Sequence, residues 1–241
     1  MHDAIRAYME RHGLERFTPQ AVLFDMDGVL FNSMPNHASS WQRSMADSGL
    51  NMTEEDAYRY EGMRGVETIR LMARQQWHRE LTDEEAQRLY QVKCDYFAAS
   101  PPAKKMAGVE ELMTWLHSQG FTIGVVTGSG QHSLLDNLVE TFHGLVDKSY
   151  IVTAFDVKHG KPSPEPYLAG LQKVGIDASE AIVVENAPLG VQSAVAAGIF
   201  TLAVNTGPLP DAALSEAGAD IVVKDMAEAL EKLKEFIKYG K

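Results

Sequence analysis

Residues 21 to 33 read Ala-Val-Leu-Phe-Asp-Met-Asp-Gly-Val-Leu-Phe-Asn-Ser, an apolar run that leads into two carboxylates, Asp25 and Asp27. The run Ala21–Phe24 has no polar alternation, which is typical of a strand buried on both faces of a parallel sheet. Open α/β sheets bind their ligands at the carboxyl ends of such strands. Side chains two residues apart in a strand point the same way, so the two acids would share one small pocket, and Gly28 would let the chain turn sharply.

Two carboxylates in one pocket point to a cation. Their mutual repulsion disfavours ionising both unless a positive charge lies between them. Carboxylate oxygens, with only one or two ligands supplied by the protein, suit Mg²⁺. The structural alternative is that one Asp caps a helix and the other closes a turn. The complete string Asp-Met-Asp-Gly-Val-Leu at a strand end favours the magnesium site.

The same string resembles the first signature of the haloacid dehalogenase superfamily of phosphotransferases. Three further signatures should follow it: a strand that ends in Thr or Ser, a loop lysine, and a strand that ends in acidic residues. They occur in this order, in residues 125–130, 160–166 and 181–188. Thr127 would end the second strand, Lys161 lies in a Pro-rich loop, and Glu185 and Asn186 would end the third. Each motif is weak alone, but the ordered set is strong.

Composition agrees with a globular protein of this kind. The 241 residues can bury a large core and carry one substantial domain with an insertion. A hydrophobic content of 45% with 23% charged residues is ordinary for a soluble protein. The formal net charge of −11 argues against a nucleic-acid or anionic-membrane partner, because binding to phosphate backbones needs clustered Lys and Arg.

The single cysteine, Cys94, excludes an intramolecular disulfide and fits a reducing compartment. The first residues, Met-His-Asp-Ala-Ile-Arg, lack the apolar core of a signal peptide, and no run approaches the roughly 18 apolar residues of a membrane span. We therefore expect a cytoplasmic protein with no membrane partner, and a monomer.

The pattern of elements divides the chain into parts. Residues 3–14 indicate a short amphipathic helix, and residues 35–103 show helical patterns throughout. Thr53 and Thr82 are each followed by acids, which is typical of helix starts, since a hydroxyl caps the helix and the acids lie near its positive end. After residue 104 helices and strands alternate. The strands are predicted at 121–127, 149–153, 181–185 and 200–204, and the helices at 108–119, 132–141, 164–174 and 188–197.

That alternation predicts βαβ crossovers and a mainly parallel sheet. We expect an α/β, Rossmann-like catalytic core formed by residues 17–34 and 104–241, preceded by an N-terminal helix in residues 1–16. A helical cap domain of residues 35–103 would be inserted after the first strand, and the resemblance implies four helices in it.

The resemblance implies roles for the residues of the motifs. Asp25 resembles the family nucleophile, whose carboxylate attacks phosphorus to give an aspartyl-phosphate. Asp27 would act as general acid toward the leaving oxygen and then as base toward the incoming water, and its backbone carbonyl would hold Mg²⁺ with Asp25. The groups implied to bind the phosphoryl oxygens are Thr127, Gly128, Ser129 and Lys161. The alternative for Lys161 is an ordinary solvated loop lysine.

The fourth motif departs from the common pattern. Many members carry Asp where this chain has Asn186, which keeps a carbonyl ligand but removes one negative charge. The metal would then bind less tightly, or a further acid would complete its site. Glu185 is the nearest candidate, and its alternative role is to orient Lys161 through an ion pair.

The expected specificity loop of the cap contains Glu61 and Arg64 in a glycine-framed turn. Arg64 could bind a second phosphate bidentately, and Glu61 could reach down to supplement the metal that Asn186 leaves short of charge. The alternative is a solvent-facing turn with an exposed ion pair. His37 and Lys93 match positions of the β-phosphoglucomutase branch, with hinge packing the alternative for His37 and a solvated helix position the alternative for Lys93.

From about residue 20 the chain resembles the β-phosphoglucomutase-like branch of the superfamily. That branch contains sugar-phosphate mutases, phosphatases of small esters and inorganic pyrophosphatases. Because the sequence around Glu61 and Arg64 has no excess of aromatic residues, we favour a Mg²⁺-dependent hydrolase of a small phosphorylated substrate, with pyrophosphate first. A β-phosphoglucomutase and a non-catalytic phosphate-binding regulator are the alternatives.

Overall fold

The computed structural model describes residues 1–129 and 132–239, with only the helical backbone for 132–136, 238 and 239. Across these residues six parallel strands form one sheet in the order β3-β2-β1-β4-β5-β6. The strands are β1 (Ala21–Phe24), β2 (Thr122–Val126), β3 (Ile151–Val152), β4 (Ala181–Glu185), β5 (Phe200–Val204) and β6 (Ile221–Val223). This architecture confirms the predicted α/β fold with a parallel sheet.

Strand β1 lies at the centre of the sheet and is buried along its whole length. Val22 and Phe24 pack into the apolar core on one face, and Leu23 packs into a second core on the other. Both faces of the sheet are covered, so the strand needs apolar residues at every position, and this explains its unbroken apolar sequence.

Helices cover the sheet, and helices also precede its first strand and follow its last. Those outside the insertion are α1 (His2–His12), α6 (Val109–Ser118), α7 (His132–Thr141), α8 (Glu165–Val174), α9 (Pro188–Ala196), α10 (Asp211–Glu216) and α11 (Met226–Tyr239). Helix α1 is anchored by buried Tyr8, whose hydroxyl donates to the carbonyl of Gly198 at 2.8 Å and whose ring packs edge-on against Phe17 and Phe200.

Between β1 and β2, where every residue is described, the chain forms four α-helices: α2 (Met34–Asp47), α3 (Glu54–Arg59), α4 (Gly65–Trp77) and α5 (Asp83–Ala98). Helices α3 and α5 begin with complete capping boxes at Thr53 and Thr82, as their sequences predict. Apolar side chains of the four helices form a separate cluster around Trp41, Met45 and Met72, which Leu209 of the core joins. The inserted four-helix unit is therefore confirmed, while its domain limits at residues 35 and 103 stay a prediction.

Two predicted elements extend two residues past an observed end. The helix expected over residues 3–14 ends at His12, because Gly13 adopts a left-handed conformation and closes it. The strand expected over residues 149–153 contains only Ile151 and Val152, since the residues before it form a 3₁₀ turn at Lys148–Tyr150. None of the described helices combines the length and apolarity needed to cross a membrane.

Candidate active site

Three neighbouring strands bring the candidate residues to one edge of the sheet. Phe24, the last residue of β1, lies opposite Val125 of β2 and Val184 of β4. The polar residues that follow or end these strands therefore meet at the carboxyl edge. They are Asp25 and Asp27 after β1, Thr127 after β2, and Glu185 and Asn186 at the end of β4, and all are buried.

Lys161 lies between two of these acids. Its Nζ donates to Asp25 Oδ1 at 2.5 Å and to Glu185 Oε1 at 2.6 Å. Burial alone would lower the pKa of Lys161, but the charges of Asp25 and Glu185 raise it above its ordinary value. Lys161 is therefore a buried, charged residue of the site, which excludes the alternative of a solvated loop lysine.

Glu185 is fully engaged by protein donors. Oε1 also accepts from the Tyr167 hydroxyl at 2.8 Å, and Oε2 accepts from the backbone N–H groups of Asn186 at 2.9 Å and Ala187 at 3.2 Å. With Lys161 these make four hydrogen bonds, about the full capacity of a carboxylate. This geometry favours the orienting role of Glu185 over its role as a metal ligand.

Asp27 is held by Ser33, which precedes α2, and by His37 within that helix. Its Oδ1 accepts from Ser33 Oγ at 2.6 Å and lies 3.3 Å from His37 Nε2. Lys93 Nζ lies 2.9 Å from His37 Nδ1, and an ammonium there would donate to Nδ1 and leave Nε2 as the donor toward Asp27. Burial opposes ionisation, yet His37, Ser33 and Lys93 hold the pKa of Asp27 below its usual range. The sequence motifs gave no sign of Ser33 as a partner of Asp27.

Lys93 is buried, not solvated. Its Nζ lies 5.3 Å from the ring centroid of Trp41 and 4.8 Å from that of Phe97. Burial lowers the pKa of Lys93, an effect that Glu61 opposes. The structure thus brings His37 and Lys93, which are 56 residues apart, into one chain of contacts that ends at Asp27.

Glu61 and Arg64 of the cap turn lie in different surroundings. Glu61 lines a cavity of about 60 Å³ that also contains Asp27, His37, Lys93, Gly128 and Ser129. Burial raises the pKa of Glu61, and within the described residues its carboxylate makes no hydrogen bond or ion pair. Arg64 is exposed and donates from Nη1 to the carbonyl of Lys158 at 3.0 Å, so the two residues do not form the ion pair of the alternative interpretation.

The expected scarcity of aromatic residues around this turn is wrong. Trp41, Tyr60, Tyr90 and Phe97 all line the cavity. Three of them come from α2 and α5, far from the turn in sequence, and only the packing of the helices brings them together. The residues next to the turn in sequence therefore do not reveal this lining.

The residues of the strand edge fit Mg²⁺. Asn186 Oδ1 is buried and has no hydrogen-bond partner in the described chain, although its Nδ2 donates to Thr206 Oγ1 at 3.4 Å. Leaving such an oxygen unpaired costs about 1–3 kcal/mol, so a ligand is expected there. The described residues contain no cluster of three His, Cys, Asp or Glu side chains suited to a metal. The candidate ligand set therefore combines the Asp25 carboxylate, the Asp27 backbone carbonyl and the Asn186 amide oxygen, all hard donors.

The turn after β2, which is predicted to bind the phosphoryl oxygens, is held by hydrogen bonds of its own. The Thr127 N–H donates to Val152 O at 2.9 Å, and Thr127 Oγ1 accepts from the Ser129 N–H at 3.0 Å, which fixes the turn beside Asp25. Thr127, Gly128 and Lys161 line one small cavity. The fold and site thus define a class: an α/β enzyme with paired strand-end acids, a buried lysine and an inserted helical cap.

Comparison with known proteins gives the family. A model of the haloacid dehalogenase-like hydrolase family matches residues 22–204, and the chain belongs to this family. It is 31% identical to validoxylamine A 7′-phosphate phosphatase of Streptomyces hygroscopicus subsp. limoneus, over 87% of this chain and 95% of that one. It is 30% identical to the phosphorylated carbohydrates phosphatase of Thermotoga maritima, over 90% and 100%.

Among solved structures, one from Bacteroides vulgatus that is provisionally named a beta-phosphoglucomutase has a TM-score of 0.93 and 47% identity, over 98% of this chain and 96% of that one. The resemblance to the β-phosphoglucomutase-like branch is therefore confirmed, as is the prediction of a phosphatase-type enzyme. The roles of the individual site residues stay predictions.

Proposed function

We propose that this enzyme hydrolyses a small phosphate substrate, with inorganic pyrophosphate favoured, through an aspartyl-phosphate on Asp25 and with Mg²⁺ as cofactor. The observation that carries the preference is the cavity of about 60 Å³ between Glu61 and the strand edge. Pockets for larger small molecules measure roughly 300–1,000 Å³, so the space beside Glu61 suits a compact substrate. A separate cavity of about 420 Å³, which Asp27 also lines, has room for a larger one.

The residues would divide the reaction between them. The Asp25 carboxylate attacks phosphorus as the bond from phosphorus to the leaving oxygen breaks, and water then attacks phosphorus to release phosphate from Asp25. Asp27 gives a proton to the leaving oxygen in the first step and takes one from the attacking water in the second, so it returns to its starting state. Lys161 and Thr127 neutralise the phosphoryl oxygens, and Glu185 holds Lys161 in place. A bound Mg²⁺ would supply further neutralisation of charge, with Asp25, Asp27 and Asn186 as its ligands.

The direct test is a screen of phosphate release in the presence of Mg²⁺. The panel contains pyrophosphate, sugar phosphates and nucleotides, and the expected result is that kcat/KM is highest for pyrophosphate. A sugar phosphate with the higher kcat/KM would overturn the pyrophosphate preference and leave the phosphatase assignment intact.

Glu61→Ala should lower turnover of pyrophosphate and of bulky esters to different extents. If Glu61 supplements the charge that Asn186 lacks, its removal should weaken Mg²⁺ binding about tenfold or more, measured by calorimetry. Turnover of pyrophosphate should fall more than that of a bulky ester, because an ester that holds the cap open does not use Glu61. Asn186→Asp should partly restore the lost Mg²⁺ affinity.

The matched control is Glu54→Ala, which removes an exposed acid from the same inserted unit. It should leave Mg²⁺ affinity and turnover unchanged. Simple additivity of Glu61→Ala and Asn186→Asp, with Mg²⁺ affinity untouched by the first, would mean that Glu61 has no role at the metal.

A second candidate function, a sugar-phosphate mutase, is favoured by the contacts from Lys93 through His37 to Asp27. A mutase needs its aspartyl-phosphate to survive until the sugar rebinds, and a cap-borne contact with Asp27 would link proton transfer to cap closure. The four aromatic residues of the cavity also suit a sugar ring. Conversion of β-glucose 1-phosphate to glucose 6-phosphate faster than any release of inorganic phosphate would establish this function.

Lys93→Ala distinguishes the two functions further. In a mutase it should lower turnover by about 10²-fold, since the chain of contacts to Asp27 is lost. In a hydrolase the effect should be small. Arg88→Ala, an exposed position on the same helix, is the control and should behave like the unchanged protein in either assay.

A further inference from the structure

We propose that Arg64 is a positioning residue that fastens the cap turn to the loop carrying Lys161, and so couples cap closure to the placement of that lysine. This rests on the proposed phosphoryl chemistry of the site. It replaces the sequence-based hypothesis that Arg64 binds a second phosphate of the substrate.

The first observation is where the guanidinium lies. Arg64 Nη1 donates to the carbonyl of Lys158 at 3.0 Å, three residues before Lys161. The stem of the side chain crosses Gly160 so closely that a Cβ there would lie 2.9 Å from Arg64 Cγ. Arg64 does not line the cavity that contains Glu61 and Asp27, but it lines a much smaller one, of about 10 Å³, with Thr127, Gly128 and Lys161. The hydrogen bond that Arg64 makes is thus with the backbone of the core.

A second contact supports the same loop from the cap. Gly62 has φ +86°, and a Cβ at this position would lie 2.9 Å from Cδ of Lys161 and 3.3 Å from its Cβ. The cap turn therefore rests directly on the stem of Lys161 at Gly62 while Arg64 binds the backbone a few residues earlier. Closure of the turn fixes the loop at two points.

The core also binds the backbone of this loop at Lys158 and His159. Glu165 at the start of α8 accepts from the Lys158 N–H at 2.7 Å and from the His159 N–H at 2.9 Å. Lys158 is thus held through its N–H by the core and through its carbonyl by the cap. Opening the cap removes only the second bond, so Arg64 is the part of this arrangement that depends on cap position.

The experiment compares Arg64→Ala with Arg59→Ala, an exposed arginine of the same inserted unit. Loss of a charge-assisted hydrogen bond of this kind should lower kcat about tenfold. The fall should be similar for pyrophosphate and for a phosphate monoester, with KM nearly constant. Amide hydrogen exchange of residues 157–161, measured on the protein without substrate, should become faster in Arg64→Ala only.

Arg64→Lys provides the second comparison. One donor is enough for a carbonyl, whereas bidentate binding of a phosphate needs the guanidinium fork. Lysine should therefore restore most of kcat and the slow exchange. A large rise of KM for pyrophosphate alone, not restored by lysine and with exchange unchanged, would overturn the proposal and make Arg64 a substrate ligand. Failure of every form to hydrolyse pyrophosphate would count against the proposed substrate, while the exchange result would still decide the role of Arg64.

Discussion

Asp25→Asn is expected to abolish turnover and to leave the fold intact. The amide is nearly isosteric with the carboxylate but cannot form an acyl phosphate, and removal of a catalytic nucleophile typically lowers kcat by about 10⁴-fold or more. Phosphate release in Mg²⁺ measures this loss. Mass spectrometry of the protein with substrate should detect a phosphorylated Asp25 in the unchanged enzyme and none in the variant.

The charges around Lys161 explain why the fold should survive. Asp25 and Glu185 both bind its Nζ, so two negative charges face one positive charge in a buried place. Burial raises the pKa of Asp25 well above its ordinary value, although Lys161 opposes this. Asparagine removes one acid and leaves the Lys161–Glu185 pair complete, so the melting temperature should stay the same or rise.

Asp3→Asn is the matched control, because the Asp3 side chain is 98% exposed and the chemical change is the same. It should leave activity and melting temperature unchanged. A folded Asp25→Asn protein that turns over normally would rule out the aspartyl-phosphate mechanism.

Local sequence signals predicted much of the fold. Strands β1, β4 and β5 have the predicted limits, because each is a short, mainly apolar run that polar residues follow or end. Thr53 and Thr82 predicted two helix starts, since a capping box depends only on neighbours in the chain. No element is predicted after residue 204, so α10, β6 and α11 are known only from the structure. Strand β6 has only three residues, too few to show a period.

The site could be predicted only where motifs mark it. Asp25, Thr127, Lys161 and Asn186 follow from strand and loop ends, which the parallel sheet brings to one edge. The aromatic lining of the cavity and the contact of Lys93 with His37 depend on how α2 and α5 pack. The hydrogen bond of Arg64 is with the backbone carbonyl of Lys158, and such a contact has no signature in the sequence.

A second large effect is expected from Gly190→Ala, in helix α9. Helix propensity alone predicts that alanine should stabilise the helix by about 1 kcal/mol. A Cβ at Gly190, however, would lie 1.8 Å from Glu185 Oε1 and 2.1 Å from its Cδ, well inside contact distance. Glu185 has no room to withdraw, because it is buried and bound by Lys161, Tyr167 and two backbone N–H groups.

The displacement of the Glu185 carboxylate decides whether Gly190→Ala raises or lowers the free energy of unfolding. Disrupting one partner of a buried ion pair costs about 3–5 kcal/mol, which exceeds the gain from helix propensity. Gly190→Ala should therefore lower the free energy of unfolding by about 2–4 kcal/mol, measured by urea denaturation. Activity should fall as well, because Lys161 loses the acid that orients it beside Asp25.

The same substitution at Gly170 in α8 is the control. There a Cβ would meet only the ends of Val126 at 3.0 Å and Leu23 at 3.2 Å, apolar groups that can move by a few tenths of an ångström. Gly170→Ala should keep most of the activity. Glu185→Asp shortens the acid and makes room for the new methyl group, so Gly190→Ala should cost less in that background than alone. Equal costs in both backgrounds would mean that the methyl group acts on the helix and not through Glu185.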